Sequence, residues 1–434
     1  MKRAHIAAIL VIASTLLAQQ PERKAADQEW SLIGGDLTNQ RYSRLALINK
    51  ENVRTLGGAW ISAPFDGDSQ SRATPVVVNG VMYATAGPWI YALDAKSGET
   101  VWKKRADERP LPPGMSLMNP GAQAEALKTD RKLPSASGVG FGEGLVFAGL
   151  TGGEVSAFDA ATGAAVWTTQ IGDDPPPKGQ SVSGVPLYYN GRIFVGLANG
   201  DFGLRGRVVA LDAKTGKKLW QFFTVPSPGE FGHETWQADN DAWKFGGGGV
   251  WLVGCLDPEL GLVYFSTGNP VPMTGGEIRG GNNLFTDSVV ALEMQSGKLR
   301  WHYQLVHHDI WDADMAVAPL LYEAQSATGP VKALAAIRSD GYVFMFDRKT
   351  GKPILPVEER PVPQDRFAKT SATQPYPAGG DTVVGSCEDW KTKFKAPPGF
   401  AIGCAFAPVS FNSSVVAPSF GVRVAPMSYS SQTG

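Results

Sequence analysis

Short apolar runs alternate with polar turns along most of this chain. Two apolar runs flank Asn79-Gly80, and two more flank Asn190-Gly191. An Asn-Gly pair accepts positive φ at both central positions of a tight turn, so it favours a β-hairpin. The pattern predicts many short antiparallel strands, and residues 122–128 are the one short helix candidate.

An eleven-residue phrase recurs along the chain: a small residue, an apolar residue, Asp or Glu, two spacers, Thr or Ser, Gly, three spacers, Trp. The Asp can cap its own turn, and the Gly supplies a left-handed conformation. The Trp then returns on an outer strand, where it can wedge between neighbouring units. We therefore interpret the phrase as scaffold. Its copies occupy residues 92–102, 157–167, 210–220 and 291–301, and a worn copy at 345–351 lacks the Trp.

The acids of successive phrases lie 65, 53, 81 and 54 residues apart. A unit of about 53 residues fits one four-stranded propeller blade. The predicted fold is therefore all-β, a propeller over residues 28–434. The 81-residue interval carries extra chain at 225–248 and 273–283. Long excursions from a propeller collect on one face and tend to carry function.

The net charge argues against a nucleic-acid partner, and the amino terminus predicts export. The 40 basic and 41 acidic residues give a net charge of -1, which offers no basis for binding nucleic acid. Lys2 and Arg3 precede an apolar run at 6–17, as in a signal peptide, here residues 1–18. The run is too short to span a bilayer comfortably. We expect a periplasmic protein, with an uncleaved membrane anchor as the alternative.

The three cysteines are compatible with export. Cys387 and Cys404 lie in one loop-like segment and can pair in an oxidising compartment. Cys255 lies in an apolar strand-like run, so we expect it to be buried.

An oxygen-rich set of side chains stands outside the repeated phrases. Asp201, Asn269, Asp309, Asp312 and Asp314 offer carboxylate and amide oxygens, the ligands that hard cations such as calcium prefer. The last three acids are closely spaced beside apolar residues, so they require a cation or raised pKa values. Each acid taken singly can instead be a turn cap. As a group they indicate a metal site.

Two other motifs predict no chemistry by themselves. His307-His308 has no further Cys or His at zinc-ligand spacing, so we expect His308 to pack against or orient the neighbouring acids. Residues 246–249 are four glycines without the Lys and Ser or Thr of a phosphate-binding loop.

Several motifs spread over nearly the whole chain after residue 28 resemble one family. They are similar to those of the quinoprotein alcohol and glucose dehydrogenases, eight-bladed propellers that use pyrroloquinoline quinone and a metal ion. The matching segments are residues 30–36, 40–43 and 49–56, Asn269-Pro270, Asn283-Leu284, Trp311-Asp312 and residues 358–363.

The resemblance implies a role for individual residues. Trp251 is similar to the tryptophan on which the quinone stacks, and Ser183 to a hydroxyl placed against the cofactor. Asn269 resembles a metal ligand, and Asp201 stands where the family usually has a longer Glu ligand. Asp312 falls at the position of the catalytic base, which also contacts the metal.

Three further positions qualify that resemblance. Asp314 matches an extra acid of lanthanide-using members, although glucose-oxidising relatives also have an acid there. Ser137 and Ser339 stand where cationic side chains usually contact the quinone. The adjacent-cysteine disulfide of many members is absent from the sequence. Loss of two cations weakens the electrostatic hold on a tricarboxylate cofactor.

The resemblance implies a periplasmic dehydrogenase that oxidises an alcohol or aldose by hydride transfer to the quinone. It implies calcium or a lanthanide as Lewis acid, Asp312 as base, and cytochrome c or a membrane quinone as electron acceptor. A non-enzymatic scaffold of the outer-membrane assembly type and an inactive quinone-binding relative remain the alternatives. Five phrases in an eight-bladed family lead us to expect a chain truncated at its carboxyl end.

Overall fold

A computed structural model describes residues 29–66, 71, 73–106, 132–326, 329–379, 391–408, 414–416 and 426–433. The predicted signal peptide, the helix candidate at 122–128 and Cys387 lie outside these ranges. Cys404 is disulfide-bonded, and Cys255 is a buried free cysteine, as expected. No helix in the described ranges is long and apolar enough to cross a membrane.

The fold is all-β and propeller-like, built from four-stranded antiparallel sheets with almost no helix. Each four-stranded sheet takes its strands in chain order, so each forms one blade. The first blade is β1 (Val76–Val78), β2 (Val81–Ala86), β3 (Trp89–Asp94) and β4 (Thr100–Arg105). The second is β5 (Gly140–Gly142), β6 (Leu145–Leu150), β7 (Glu154–Asp159) and β8 (Ala165–Gln170). The third is β9 (Leu187–Tyr189), β10 (Arg192–Leu197), β11 (Arg207–Asp212) and β12 (Lys218–Phe223). The fourth is β13 (Cys255–Asp257), β14 (Leu262–Ser266), β15 (Ser288–Glu293) and β16 (Leu299–Gln304).

Three smaller sheets follow the fourth blade. A three-stranded sheet contains the worn copy of the phrase, and a hairpin and a parallel strand pair come after it. The strands are β17 (Leu320–Ser326), β18 (Gly329–Ile337) and β19 (Val343–Asp347), then β20 (Val357–Pro361) with β21 (Thr373–Pro377), then β22 (Phe400–Ile402) with β23 (Ser414–Val416). The described 3₁₀ turns are Val53–Thr55, Gly200–Phe202, His233–Thr235, Ala242–Phe245 and Gly276–Ile278. A total of eight blades remains a prediction.

The predicted tight turns are confirmed. Asn79 and Gly80 have φ of 51° and 77°, and Asn190 and Gly191 have 44° and 75°. Each pair joins the first two strands of a blade, β1 to β2 and β9 to β10. The left-handed conformation at both central positions is the one that matches the twist of the flanking strands.

The tryptophan of each phrase docks on the phrase of the following sheet. Trp220 Nε1 donates to Met294 O at 3.0 Å, and the indole ring covers Gly297, whose φ is 70°. A Cβ on Gly297 would lie 2.5 Å from Trp220 Cε3. The same contact joins Trp102 to Gly163, Trp167 to Gly216 and Trp301 to Gly351.

Trp60 makes this contact although it belongs to no phrase. Its Nε1 donates to Ala95 O at 3.1 Å, and its ring covers Gly98 of the first phrase. The first blade is therefore covered by a tryptophan in the same way as the later ones. Trp60 stands outside the repeated phrases because Asn52 and Leu56 occupy the positions of the acid and the glycine that would precede it.

Candidate functional site

Four loops that carry predicted site residues emerge at the same edge of the blades, meaning the same end of the strands. In an up-and-down sheet, the loops after the second and fourth strands lie at one end of the strands and the loops after the first and third lie at the other. Asp201 follows β10 and Trp251 follows β12. Asn269 follows β14, and Asp312 and Asp314 follow β16. The extra chain of the long interval thus lies on the face that carries the candidate chemistry.

A cavity of about 160 Å³ opens between these loops. Five predicted site residues share it: three metal-ligand candidates, the stacking tryptophan and one serine. Its wall is formed by Ser183, Asn199, Gly200, Asp201, Gly249, Trp251, Gly268, Asn269 and Asp314. Asp312, predicted both as the base and as a metal contact, is not in this wall: it lies two residues from Asp314, is partly exposed and has a left-handed φ of 61°. Its charge acts on Asp314 and contributes to the raised pKa of that residue.

The run of four glycines allows two site loops to approach backbone to backbone. A Cβ on Gly249 would lie 2.9 Å from Gly200 N, and one on Gly200 would lie 2.9 Å from Gly249 N. Gly248 N donates to Asn269 O at 2.9 Å, and Gly268 N donates to Gly249 O at 2.8 Å. The glycines therefore hold the Asp201, Trp251 and Asn269 loops together, a function that the sequence pattern did not reveal.

Gly268→Ala is expected to destabilise the fold at the cavity wall. The added Cβ would lie 2.6 Å from Asp314 Oδ1 and 3.3 Å from Gly249 O. Asp314 cannot yield freely because its Oδ1 accepts the Asn269 N–H at 2.9 Å. We expect the free energy of unfolding to fall by about 1–3 kcal/mol, the usual range for overpacking. Urea denaturation followed by circular dichroism measures it.

Gly58→Ala is the matched control. A Cβ at Gly58 meets no atom within 4 Å, so the expected change is within about 0.5 kcal/mol. Equal destabilisation by the two substitutions would contradict the explanation that the close approach of Gly268 to Asp314 makes Gly268→Ala costly.

Asp314 is the buried acid of the cavity. Its side chain is 8% exposed, and burial raises the pKa of its carboxyl to about 7, with further upward contributions from Asp312, Asp309 and Asp201. The Asn269 N–H acts in the opposite direction and lowers this pKa. A cation in the cavity would favour the ionised form and lower the pKa further. The charge of Asp314 is therefore coupled to whatever occupies the cavity.

Asp309 is directed to its own loop. Its Oδ1 accepts the Trp311 N–H and its Oδ2 accepts the Ala313 N–H, both at 2.7 Å. Burial raises the pKa of this carboxyl to about 6, against the lowering effect of the two N–H donors. Asp309 is not in the cavity wall. Of the acids that the sequence grouped as cation ligands, this one serves as the turn cap.

Asp287 is an acid that the sequence analysis missed. It is fully buried, and within the described residues neither carboxylate oxygen has a hydrogen-bond partner. Burial, then Asp309 and Asp314, raise its pKa well above the usual range. The neighbouring Thr286 hydroxyl donates to Asn283 O at 2.8 Å instead. A polar residue at the start of an apolar strand was the only available indication in the sequence.

The predicted cofactor serines occupy different positions. Ser183 lines the cavity, and its Oγ donates weakly to Trp251 O at 3.4 Å. Ser137 lies outside the wall, and Ser135 connects it to Ser183: Ser137 N donates to Ser135 Oγ at 3.0 Å, and that hydroxyl donates to Ser183 O at 2.5 Å.

Ser339 is fully buried, and its Oγ donates to Asp314 O at 2.8 Å. The neighbouring Arg338 faces away from Asp314. Its Nε donates to both carboxylate oxygens of Asp340, at 2.9 and 3.0 Å, and its Nη1 donates to Leu305 O. Arg338 therefore does not replace the cationic side chain that the family resemblance led us to expect in place of Ser339.

Both histidines contact the surrounding chain through their rings. His308 Nδ1 lies 2.6 Å from Gly281 O and its Nε2 lies 2.7 Å from Ala368 O. His307 Nδ1 lies 2.8 Å from Gln304 Oε1. His308 thus joins the site loop to two other segments, consistent with the expected packing role.

The donor set fits a metal ion that arrives with a further ligand. In the part of the chain that the structure describes, no three His, Cys, Asp or Glu side chains are grouped closely enough to hold a metal ion. The cavity adds the Asn269 amide to Asp201 and Asp314. Calcium usually takes six to eight oxygen ligands. A cofactor rich in carboxylate and carbonyl oxygens would supply the rest, and Trp251 offers its ring an aromatic face.

A second cavity of about 640 Å³ lies between β12 and β16. Its wall is mainly aromatic, with Phe222, Phe231, Phe285 and Trp301, and it shares no lining residue with the first. It contains none of the predicted site residues. The smaller cavity is the candidate site because the polar groups converge there.

Comparison with known proteins gives one consistent family. The sequence profile described as glucose/ethanol/alcohol dehydrogenase, β-propeller domain, of the PQQ group, matches residues 30–393. The chain is 35% identical over 344 residues to quinohemoprotein alcohol dehydrogenase ADH IIB of Pseudomonas putida, covering 76% of this chain and 47% of that protein. The chain spans about half the length of the curated relatives it matches.

Solved structures agree. Quinohemoprotein alcohol dehydrogenase ADHIIG from Pseudomonas putida HK5 superimposes with a TM-score of 0.67 at 32% identity, covering 81% of this chain and 52% of that one. A europium-containing methanol dehydrogenase gives a TM-score of 0.65 at 27% identity, covering 82% and 62%.

Proposed function

Because this chain belongs to the PQQ family of glucose, ethanol and alcohol dehydrogenase β-propellers, we propose that it binds pyrroloquinoline quinone and oxidises an alcohol or aldose. The relatives named above are alcohol dehydrogenases, which favours an alcohol as substrate. We further propose that the protein acts in the periplasm after removal of residues 1–18. The electron acceptor would be a cytochrome c or a membrane quinone.

The observation that carries this proposal is the convergence of Ser183, Asp201, Trp251, Asn269 and Asp314 on one cavity. These residues come from segments up to 131 positions apart in sequence. Their types suit a flat, anionic, oxygen-rich cofactor with a metal ion: an aromatic face, two carboxylates, an amide and a hydroxyl.

In the proposed mechanism, each residue has a distinct role. The quinone, when bound, supplies the hydride acceptor, and the metal ion supplies Lewis acidity. Trp251 would provide the stacking surface, and Asp201, Asn269 and Asp314 would hold the cation. Asp312, partly exposed beside this set, takes the proton of the substrate hydroxyl.

The test is cofactor uptake by the purified apo-protein. Quinone is added with calcium or a lanthanide, free cofactor is removed by dialysis, and retained absorption is measured. Dye reduction is then measured with alcohols and with aldoses. Uptake with alcohol-dependent turnover supports the enzyme, and uptake without turnover indicates an inactive quinone-binding relative. The absence of both uptake and turnover would favour the scaffold alternative.

Trp251→Ala is expected to weaken quinone binding at least tenfold, because aromatic stacking contributes about 1.5 kcal/mol. Trp243→Ala is the matched control. Trp243 lies in the same connection between β12 and β13 but outside the cavity wall, where it contacts His233 and Arg205. Equal quinone affinity in the two variants would contradict the role of Trp251.

A further inference from the structure

Asp309 and the proposed base belong to one short loop. Asp309 accepts the backbone N–H groups of Trp311 and Ala313, the two residues on either side of Asp312. Both donor–acceptor distances are 2.7 Å, and Asp309 is 1% exposed. Hydrogen bonds to an ionised group are about twice as strong as neutral ones. The carboxylate thus fixes the backbone immediately before and after Asp312.

Asp312 needs this support because its backbone is left-handed, with φ of 61°. L-residues disfavour that conformation, although Asp tolerates it better than most. Without restraint, the loop would relax toward other conformations and move the carboxylate of Asp312. The two hydrogen bonds that Asp309 accepts favour one backbone conformation among those available to the loop.

A buried arginine anchors the same loop from the opposite side. Arg279 is fully buried, and its Nη2 donates to the backbone O of Asp309. Its Nη1 donates to Asn283 Oδ1 at 2.7 Å, and its Nε to Pro272 O at 3.0 Å. Arg279 therefore fastens Asp309 to the excursion between β14 and β15, the segment that begins beside Asn269.

We propose that Asp309 is a positioning residue, which orients Asp312 for proton abstraction by holding the flanking N–H groups. Asp309 is buried and both its carboxylate oxygens accept N–H groups of its own loop, whereas Asp312 is partly exposed, so Asp309 acts through Asp312 rather than on the substrate. This inference rests on the proposed function for its kinetic part. The structural part, that Asp309 holds residues 311–313, stands independently.

Asp309→Asn is the direct test, because the amide keeps the size of the side chain but cannot accept at both positions. Amide hydrogen exchange of Trp311 and Ala313 is measured in the cofactor-free protein and is expected to accelerate about tenfold. In the loaded protein, kcat per bound quinone is expected to fall about 100-fold, with KM for the alcohol little changed, because orientation of the base is lost.

Asp257→Asn is the matched control. Asp257 is also buried, and its Oδ1 accepts the N–H groups of Glu259 and Leu260, but it caps a turn at the opposite edge of the fourth blade. Its substitution is expected to lower stability and leave kcat per bound quinone unchanged. Arg279→Lys is the second variant should Asp309→Asn fail to fold. It keeps the positive charge but loses the planar guanidinium that donates to several acceptors at once. It is therefore expected to accelerate hydrogen exchange at the same two amides.

Unchanged exchange at residues 311 and 313, or a kcat within about twofold of wild type, would overturn the positioning role. Wild-type protein that takes up quinone but shows no turnover would contradict the proposed function instead. The exchange measurement needs no cofactor, so the two failures are distinguishable.

Discussion

Asp312→Asn is expected to lower kcat about 1,000-fold, within the range for loss of a general base. The amide keeps the shape of the side chain but cannot take the proton of the substrate hydroxyl. Quinone uptake should survive in part, because Asp201, Asn269, Asp314 and Trp251 still line the cavity. Kinetics of dye reduction, normalised to bound quinone measured by absorption, give the effect.

Two further variants make that result specific. Asp312→Glu keeps a carboxylate but moves it by one methylene, so its kcat should lie between wild type and Asp312→Asn. Asp239→Asn alters an exposed aspartate that accepts from Gln237, and it should leave kcat unchanged. Retention of more than about a tenth of wild-type kcat by Asp312→Asn would remove Asp312 from the role of base.

Trp220→Ala is expected to lower the free energy of unfolding by about 3–5 kcal/mol. Trp220 is 9% exposed, lies over Gly297 and donates to Met294 O. Its ring also lies 6.0 Å from that of Phe194, centroid to centroid. Truncation leaves a cavity between the third and fourth blades and removes the shorter of two hydrogen bonds to Met294 O, the other coming from Arg192 Nη1 at 3.4 Å. Urea denaturation monitored by circular dichroism measures the loss.

The contact can be tested from both sides. Trp220→Phe keeps most of the ring but loses the indole N–H, so it should cost less than Trp220→Ala. Gly297→Ala should also destabilise, since its Cβ would lie 2.5 Å from the indole and its φ is 70°. A cost below about 1 kcal/mol for Trp220→Ala would show that this tryptophan does not hold the blades together.

Much of the scaffold could be predicted because it depends on residues close in sequence. The Asp of the first phrase caps its own turn: Asp94 Oδ1 accepts the N–H groups of Lys96 and Ser97 at 2.9 and 2.8 Å. The Asn-Gly turns likewise depend on two adjacent residues. The wedge position of the tryptophans was also expected, but its partner, the Gly of the following phrase, was not.

The members of the site were predicted by residue type, and their arrangement was not. Trp251, Asn269 and Asp201 stood out because they lie outside the repeated phrases and match the family's motifs, and the fold brings them to one cavity. Gly249 and Gly268 were not expected to contribute. Their value lies in the backbone contacts between loops, which no local pattern records.

Asp309 and Asp314 show where the sequence by itself stops. The sequence determined the repeated unit, its turns and the set of candidate acids, since caps and hairpins act over two or three residues. Only the tertiary structure decided which acid faces the cavity. Asp309 finds its N–H donors within its own loop, whereas Asp314 accepts the N–H of Asn269, 45 residues away. A carboxylate accepts hydrogen bonds from the nearest N–H donors, and donors distant in sequence become neighbours only when the blades pack.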